Sequence, residues 1–137
     1  MKLGRLNHVG VATPDIEAAI AFWRDTMGAI SITDPFDMPE QGVRVCFVDT
    51  PDLGTQIELL APLSDASPVA AFLQRNPLGG QHHLAFEVPD IHAAHQAFTA
   101  LGKRILGPIR IGEQTRRKAH PNGAPKDAIR LVTCHVA

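Results

Sequence analysis

The sequence predicts an α+β fold in which two βαβββ modules form a paired, cup-shaped mixed β-sheet, and three observations predict it. First, residues 8–19, His-Val-Gly-Val-Ala-Thr-Pro-Asp-Ile-Glu-Ala-Ala, align with residues 83–94, His-Leu-Ala-Phe-Glu-Val-Pro-Asp-Ile-His-Ala-Ala, at an offset of 75 with six of twelve pairs identical. Second, each copy passes from a short strand-like run through Pro-Asp into apolar residues at helical spacing. Third, strand-like runs follow each helix, so the repeated unit is supersecondary and far longer than a solenoid repeat. Two such units suggest a pseudo-twofold pair whose equivalent strands face each other across an open cup.

The elements follow in order. Residues 6–12 alternate as a strand, and Asp15 after Pro14 is placed to cap a helix because its carboxylate accepts from the free N–H groups of the first turn. Ile16, Ala19, Ile20 and Trp23 recur at helical spacing up to Gly28. Strands are expected at about 29–33, 43–48 and 55–60. Ser67 then caps a short helix over 68–75, with Pro68 in its first turn and Asn76-Pro77 as its stop. In the second copy a strand at 83–88 precedes a helix capped by Asp90, carrying Ile91, Ala94 and Phe98 and ending near Gly102. The repeat continues through Trp23 with Phe98 and, after a one-residue gap, Gly28 with Gly102. Further strands are expected at 104–106 and 128–136. Residues 1–137 thus read as one domain, with module one over about 5–62, a linker helix within about 63–80 and module two over about 81–137.

Composition bounds the function. The 137 residues are 45% apolar and 20% charged, which suits one soluble domain with a core and excludes a disordered chain. Thirteen Lys+Arg against fourteen Asp+Glu give a formal charge of −1, so no basic field argues for nucleic acid. No run has the length of a membrane span, and the N-terminus carries no apolar core of a signal peptide. Cys46 and Cys134 each sit in a strand-like run and read as reduced, structural thiols; the expected compartment is the cytoplasm.

Strand alternation places His8, Gly10 and Ala12 on one face of the first strand, and His83, Ala85 and Glu87 on one face of its repeat. Small neighbours on the His8 face leave room for a ligand. Gln56, Glu58 and Leu60 alternate with Ile57 and Leu59, so Glu58 is a carboxylate on an otherwise buried strand. Buried carboxylates are costly unless paired or bound to metal, and two histidines with a carboxylate suit a divalent transition metal. His82 is expected to point away and to be structural, His92 and His95 to lie on the helix surface, and Arg116-Arg117-Lys118 to be a solvated basic cluster, with contact to a phosphate-bearing substrate as the alternative.

These residues resemble the vicinal oxygen chelate superfamily, whose members pair two βαβββ modules around a divalent metal. Within it the chain is most similar to the methylmalonyl-CoA epimerase family. The words that carry this are Leu6-Asn7-His8-Val9-Gly10-Val11-Ala12, Pro39-Glu40-Gln41-Gly42-Val43, Glu58-Leu59-Leu60-Ala61-Pro62-Leu63, Ser67-Pro68-Val69-Ala70-Ala71-Phe72-Leu73 and Gly80-Gln81-His82-His83-Leu84-Ala85-Phe86-Glu87-Val88. The resemblance implies metal ligands at His8, Glu58 and His83, the three that alternation selects, and a fourth ligand, a Glu, on the last strand. The position 75 residues beyond Glu58 is instead Thr133, and His135, two residues on, is the imidazole expected to serve as a further ligand. The tail after Gly112 departs from the family pattern, through divergence or through a change of reading frame.

The activity so implied is interconversion of the two epimers of methylmalonyl-CoA, an acyl-CoA substrate, through an enolate. Proton removal on one face and return on the other calls for acid–base groups, and Glu87, then Glu58, are the expected catalytic carboxylates, with His135 as third choice. A homodimer is implied as well. The rival readings are a glyoxalase-like metal isomerase, a ring-cleaving dioxygenase, or a non-catalytic small-molecule binder of the same superfamily.

Overall fold

The computed structural model describes residues 3–51, 54–106, 108–109 and, by backbone alone, 131–135. Strand β1, Leu6–Ala12, has the predicted bounds and leads through Pro14 into helix α1, Ile16–Ala21. Asp15 caps that helix, its carboxylate accepting from the Ala18 N–H at 3.0 Å. The helix then widens into a π-helical turn, Phe22–Thr26, closed by the Met27 N–H donating to the Phe22 carbonyl at 3.1 Å. A π turn accommodates one extra residue in a helix. That extra residue is the one-residue gap between the two copies of the repeat.

Strand β2, Ser31–Ile32, and strand β3, Phe36–Met38, follow, then a 3-10 turn, Pro39–Gln41. The turn closes at Gly42, whose φ of +68° lies in the left-handed region that glycine adopts without strain. Strand β4, Val43–Asp49, pairs antiparallel with β2 at one end, Ile32 opposite Val48, and with β3 at the other, Phe36 opposite Val45. Strand β5, Gln56–Pro62, lies antiparallel to β4, with Phe47 opposite Glu58, and parallel to β1, with Gly10 opposite Glu58. Helix α2, Pro68–Arg75, has the predicted bounds and its Ser67 cap, the hydroxyl accepting from the Val69 N–H at 3.2 Å. Strand β6, Gly80–Glu87, starts earlier than expected; helix α3, Ile91–Ala100, and strand β7, Leu131–His135, complete the described elements. The sheet is mixed and runs in the order β2-β4-β5-β1-β6-β7, with β3 paired to β4. The expected α+β class with a mixed sheet is therefore what the chain forms.

Two differences from expectation have local causes. Strand β3 stands between Pro35 and Pro39, residues that normally mark the end of pairing, and it uses only the outer edge of β4. Residues 104–106 form no strand: every residue from 103 to 106 is exposed, so apolar alternation there has no buried face to settle on.

The described chain groups into two compact units. The larger comprises Leu6–Ala85 with Thr133–Ala137, and its core lies on both faces of the β1-β5-β4 sheet. On one face Ala12, Val43, Val45 and Leu60 pack with Val69, Phe72 and Leu73 of α2. On the other Cys46, Val48, Leu59 and Ala61 pack with Val11, and with Ile16, Ala19, Ile20 and Trp23 of α1 and its π turn. The smaller unit comprises Met1–Arg5 with Phe86–Val132. In it the Gly4 N–H donates to the Glu87 carbonyl at 2.9 Å and the Glu87 N–H to the Arg5 carbonyl at 3.0 Å, while Asp90 caps α3 by accepting from the N–H groups of His92 and Ala93. Among the described residues no helix is long and apolar enough to cross a membrane.

Candidate metal centre

Strand register builds the site. Gly10 stands opposite Glu58 across β1 and β5, and Phe47 stands opposite Glu58 across β4 and β5, so His8, Gly10, Glu58 and Phe47 share one face of the larger unit. Phe47 is buried and floors this face with Val45 and Leu60. The His83 ring from β6 lies directly over Gly10: a methyl group there would come within 2.6 Å of His83 Nε2. The space expected to remain beside Gly10 is thus occupied by the second histidine. That close approach requires glycine at position 10.

His8 Nε2 and His83 Nε2 are 3.1 Å apart, with the two rings edge to face. Glu58 Oε2 lies 3.4 Å from His8 Nε2 and 3.2 Å from His83 Nε2. His8 and His83 are both buried, and the Glu58 side chain is only 12% exposed. Burial alone would push the Glu58 carboxyl up, but hydrogen bonds to His8 and His83 and their charge hold it down at about 2. The carboxylate is therefore ionised across the physiological range.

The remaining ring nitrogens are engaged on the outside of this cluster. His8 Nδ1 lies 3.1 Å from Asn7 Oδ1, an amide oxygen that can only accept, so Nδ1 carries the proton. In the neutral ring Nε2 then presents a lone pair toward the Glu58 carboxylate, and two acceptors this close need a proton or a cation between them. His83 Nδ1 lies 2.9 Å from His82 Nδ1. One Nε2 from each histidine and one carboxylate oxygen lie within 4.8 Å of one another, a donor set suited to a divalent transition metal. The residues present fit the metal that the sequence implies.

Of the residues singled out in the sequence, the fold brings His8, Glu58 and His83 together. Glu87 is ion-paired instead, its Oε1 lying 2.7 Å from an Arg5 guanidinium nitrogen, and it is part of the smaller unit. His135 ends β7, and its side chain lies outside what is described, as do the side chains of Thr133 and Cys134 and the whole Arg116-Arg117-Lys118 cluster. His92 is exposed as expected, whereas His95 on the same helix is half-buried, and Cys46 is a buried free thiol. His82 departs from expectation. Rather than pointing away, it stands between the Phe72 ring, centroids 5.2 Å apart, and the His83 ring, which it meets through Nδ1. Asn7 was not among the sequence candidates, yet it is completely buried against His8.

The two-histidine, one-carboxylate cluster is a candidate metal site on an α+β mixed sheet, and the chain belongs to the glyoxalase/bleomycin resistance protein/dioxygenase superfamily, whose model matches residues 7–119. Within it, epimerases are among the proteins that the chain resembles. The chain is 50% identical over 105 residues to the ethylmalonyl-CoA/methylmalonyl-CoA epimerase of Cereibacter sphaeroides, a match covering 77% of this chain and 76% of that one. It is 49% identical over 92 residues to the human mitochondrial methylmalonyl-CoA epimerase, covering 67% of this chain and 51% of the human one. The match therefore spans about half the length of the mammalian relative. Among solved structures, a Streptomyces coelicolor methylmalonyl-CoA epimerase variant in complex with 2-nitronate-propionyl-CoA matches with a TM-score of 0.71 and 34% identity over 81% of each chain. The Mycobacterium tuberculosis methylmalonyl-CoA epimerase matches with a TM-score of 0.72 and 29% identity, over 95% of this chain and 85% of that one.

Proposed function

We propose that the chain is a divalent-metal-dependent epimerase that interconverts the two epimers of methylmalonyl-CoA by exchanging the proton on the carbon between thioester and carboxylate. The observation that carries this is the convergence of His8, Glu58 and His83 donor atoms in a chain half identical to an epimerase. When held by these three residues, a divalent ion would supply the positive charge that makes so weak a carbon acid ionisable. Phe47, Val45 and Leu60 keep one side of the cluster apolar, where charge is felt most strongly.

The proton itself must be moved by side chains. Glu87 is the acid–base group this reading assigns first, and its ion pair with Arg5 fixes the orientation of the carboxylate. Glu58 is the second, in the case that it binds the ion only loosely, and His135 is assigned as a further ligand. We read residues 1–137 as one domain of two modules, about 5–62 and 81–137, joined by the α2 linker; the matching caps at Asp15 and Asp90 support this. A homodimer fits the exposed Phe22, Met27 and Ile30 at the end of α1, and the free Cys46 thiol suits the cytoplasm.

The test is α-proton exchange. The protein is loaded with Co²⁺, given methylmalonyl-CoA in D₂O and followed by NMR. Metal-dependent loss of the α-proton signal, absent in His83→Ala, is the expected result. Glu87→Gln should also stop exchange, and full exchange in that variant removes Glu87 as the base. Saturable binding of the acyl-CoA with no exchange in the parent protein would replace the epimerase reading with that of a binding member of the superfamily.

A further inference from the structure

Two contacts at the metal centre repeat. Asn7 precedes His8 and His82 precedes His83, and the pairs stand at equivalent positions of the internal repeat, 75 residues apart. In both, the side chain of the preceding residue reaches the Nδ1 of the histidine: Asn7 Oδ1 at 3.1 Å and His82 Nδ1 at 2.9 Å. The residue types differ: the amide oxygen of Asn7 can only accept, and the imidazole Nδ1 of His82 accepts when that ring carries its proton on Nε2. Neighbouring residues of a strand ordinarily point to opposite faces, so neither contact follows from strand geometry alone. Each preceding side chain is also held: Asn7 is completely buried, and His82 is set edge to face against the Phe72 ring of α2.

From this we infer that Asn7 and His82 are a matched pair of positioning residues, each accepting the Nδ1–H of the histidine that follows and so presenting Nε2 to the ion. The inference rests on the metal reading above. A neutral imidazole has one N–H and one lone pair, and the acceptor at Nδ1 decides which nitrogen is which. For His8 the amide oxygen leaves no choice. For His83 the inference assigns the acceptor role to His82 Nδ1, which requires His82 to carry its own proton on Nε2. Such outer partners fix ring orientation and raise ligand basicity, and their loss typically costs about 10- to 100-fold in metal affinity.

The experiment uses Zn²⁺ alone and two readouts, affinity by chelator competition and the histidine tautomers by long-range ¹H–¹⁵N NMR of the Zn²⁺-loaded protein. His82→Phe keeps a ring against Phe72 but offers no acceptor, whereas His82→Asn keeps an acceptor. The expected results are an Nδ1-protonated, Nε2-bound His8 and His83 in the parent protein, a loss of about 10- to 100-fold in Zn²⁺ affinity for His82→Phe, and recovery of most of that loss in His82→Asn. Asn7→Leu should behave as His82→Phe does, and Asn7→Asp as His82→Asn. Unchanged affinity in His82→Phe, or a His83 bound through Nδ1, overturns the inference while leaving the metal site standing. A parent protein that binds no Zn²⁺ overturns both. The NMR readout on the parent does not depend on how any variant folds.

Discussion

At the scale of single residues, Gly10 is where packing and chemistry meet. Its missing side chain lets the His83 ring lie on β1, and a Cβ there would meet that ring rather than backbone. The backbone admits alanine, which is favoured over glycine in a strand by roughly 0.5–1 kcal/mol. The obstruction is a ring held by Glu58, His8 and His82, and moving it leaves the buried Glu58 carboxylate short of a partner. Gly10→Ala should therefore lower the unfolding free energy by about 1–3 kcal/mol, the usual cost of a buried polar group that loses its hydrogen bond, offset in part by strand propensity. Zn²⁺ affinity should fall as far as it does in His83→Ala. Denaturant titration and chelator competition on the same samples separate the two effects, and an unaltered affinity would show that His83 is not held over Gly10 as the structure has it.

At the scale of elements, the same capping carboxylate opens a helix in each copy of the repeat: Asp15 accepts from Ala18 N–H, and Asp90 from His92 and Ala93 N–H. Both caps are exposed and stand at helix starts, each seven residues beyond a histidine of the cluster, rather than on the strands that carry the donor atoms. Asp15→Ala and Asp90→Ala should each cost about 1 kcal/mol in urea denaturation, the usual cost of an N-cap, with Zn²⁺ affinity unchanged. Caps were legible because they depend on one residue and its immediate neighbours. The bounds of β1 and α2 were legible for the same reason, since alternation, Ser67, Pro68 and Asn76-Pro77 are local signals. The π turn at Phe22–Thr26 was visible only as a gap between the repeats, because Phe-Trp-Arg-Asp-Thr contains nothing that distinguishes a widened turn from an ordinary one. Residues 104–106 mislead in the opposite way: their pattern is strand-like, but burial decides strands and these residues have none. The site divides along similar lines. His8, Glu58 and His83 follow from alternation plus repetition, whereas Asn7 and His82 are hidden by the alternation rule, which sends adjacent side chains to opposite faces.

At the scale of the whole molecule, folding changes the acidity of a group that plays no part in the site. Cys46 is completely enclosed among Val48, Leu59, Ala61 and the α1 residues, and burial, with the nearby charges of Glu17 and Glu58, pushes its thiol up from 9.0 to about 11. In the unfolded chain the thiol ionises near 9, while in the fold it keeps its proton until about 11. The folded pKa is raised, so this contribution to stability is fully present below pH 9 and is lost as the pH rises from 9 to 11. Over that window the unfolded state sheds a proton that the folded state retains, and the loss amounts to roughly 3 kcal/mol for a shift of this size. The sequence contains no tyrosine, which removes the phenol ionisation that usually crowds this range. Cys46→Ala keeps every other titrating group, so the difference between parent and variant isolates the thiol. Below pH 9 the variant should be less stable by an amount that does not change with pH, the cost of a small cavity. Between pH 9 and 11 the two stability curves should converge, because only the parent loses the proton-linked contribution. Curves that stay parallel through pH 11 would mean that the thiol ionises in the fold as readily as in the unfolded chain, and that the core around α1 admits water.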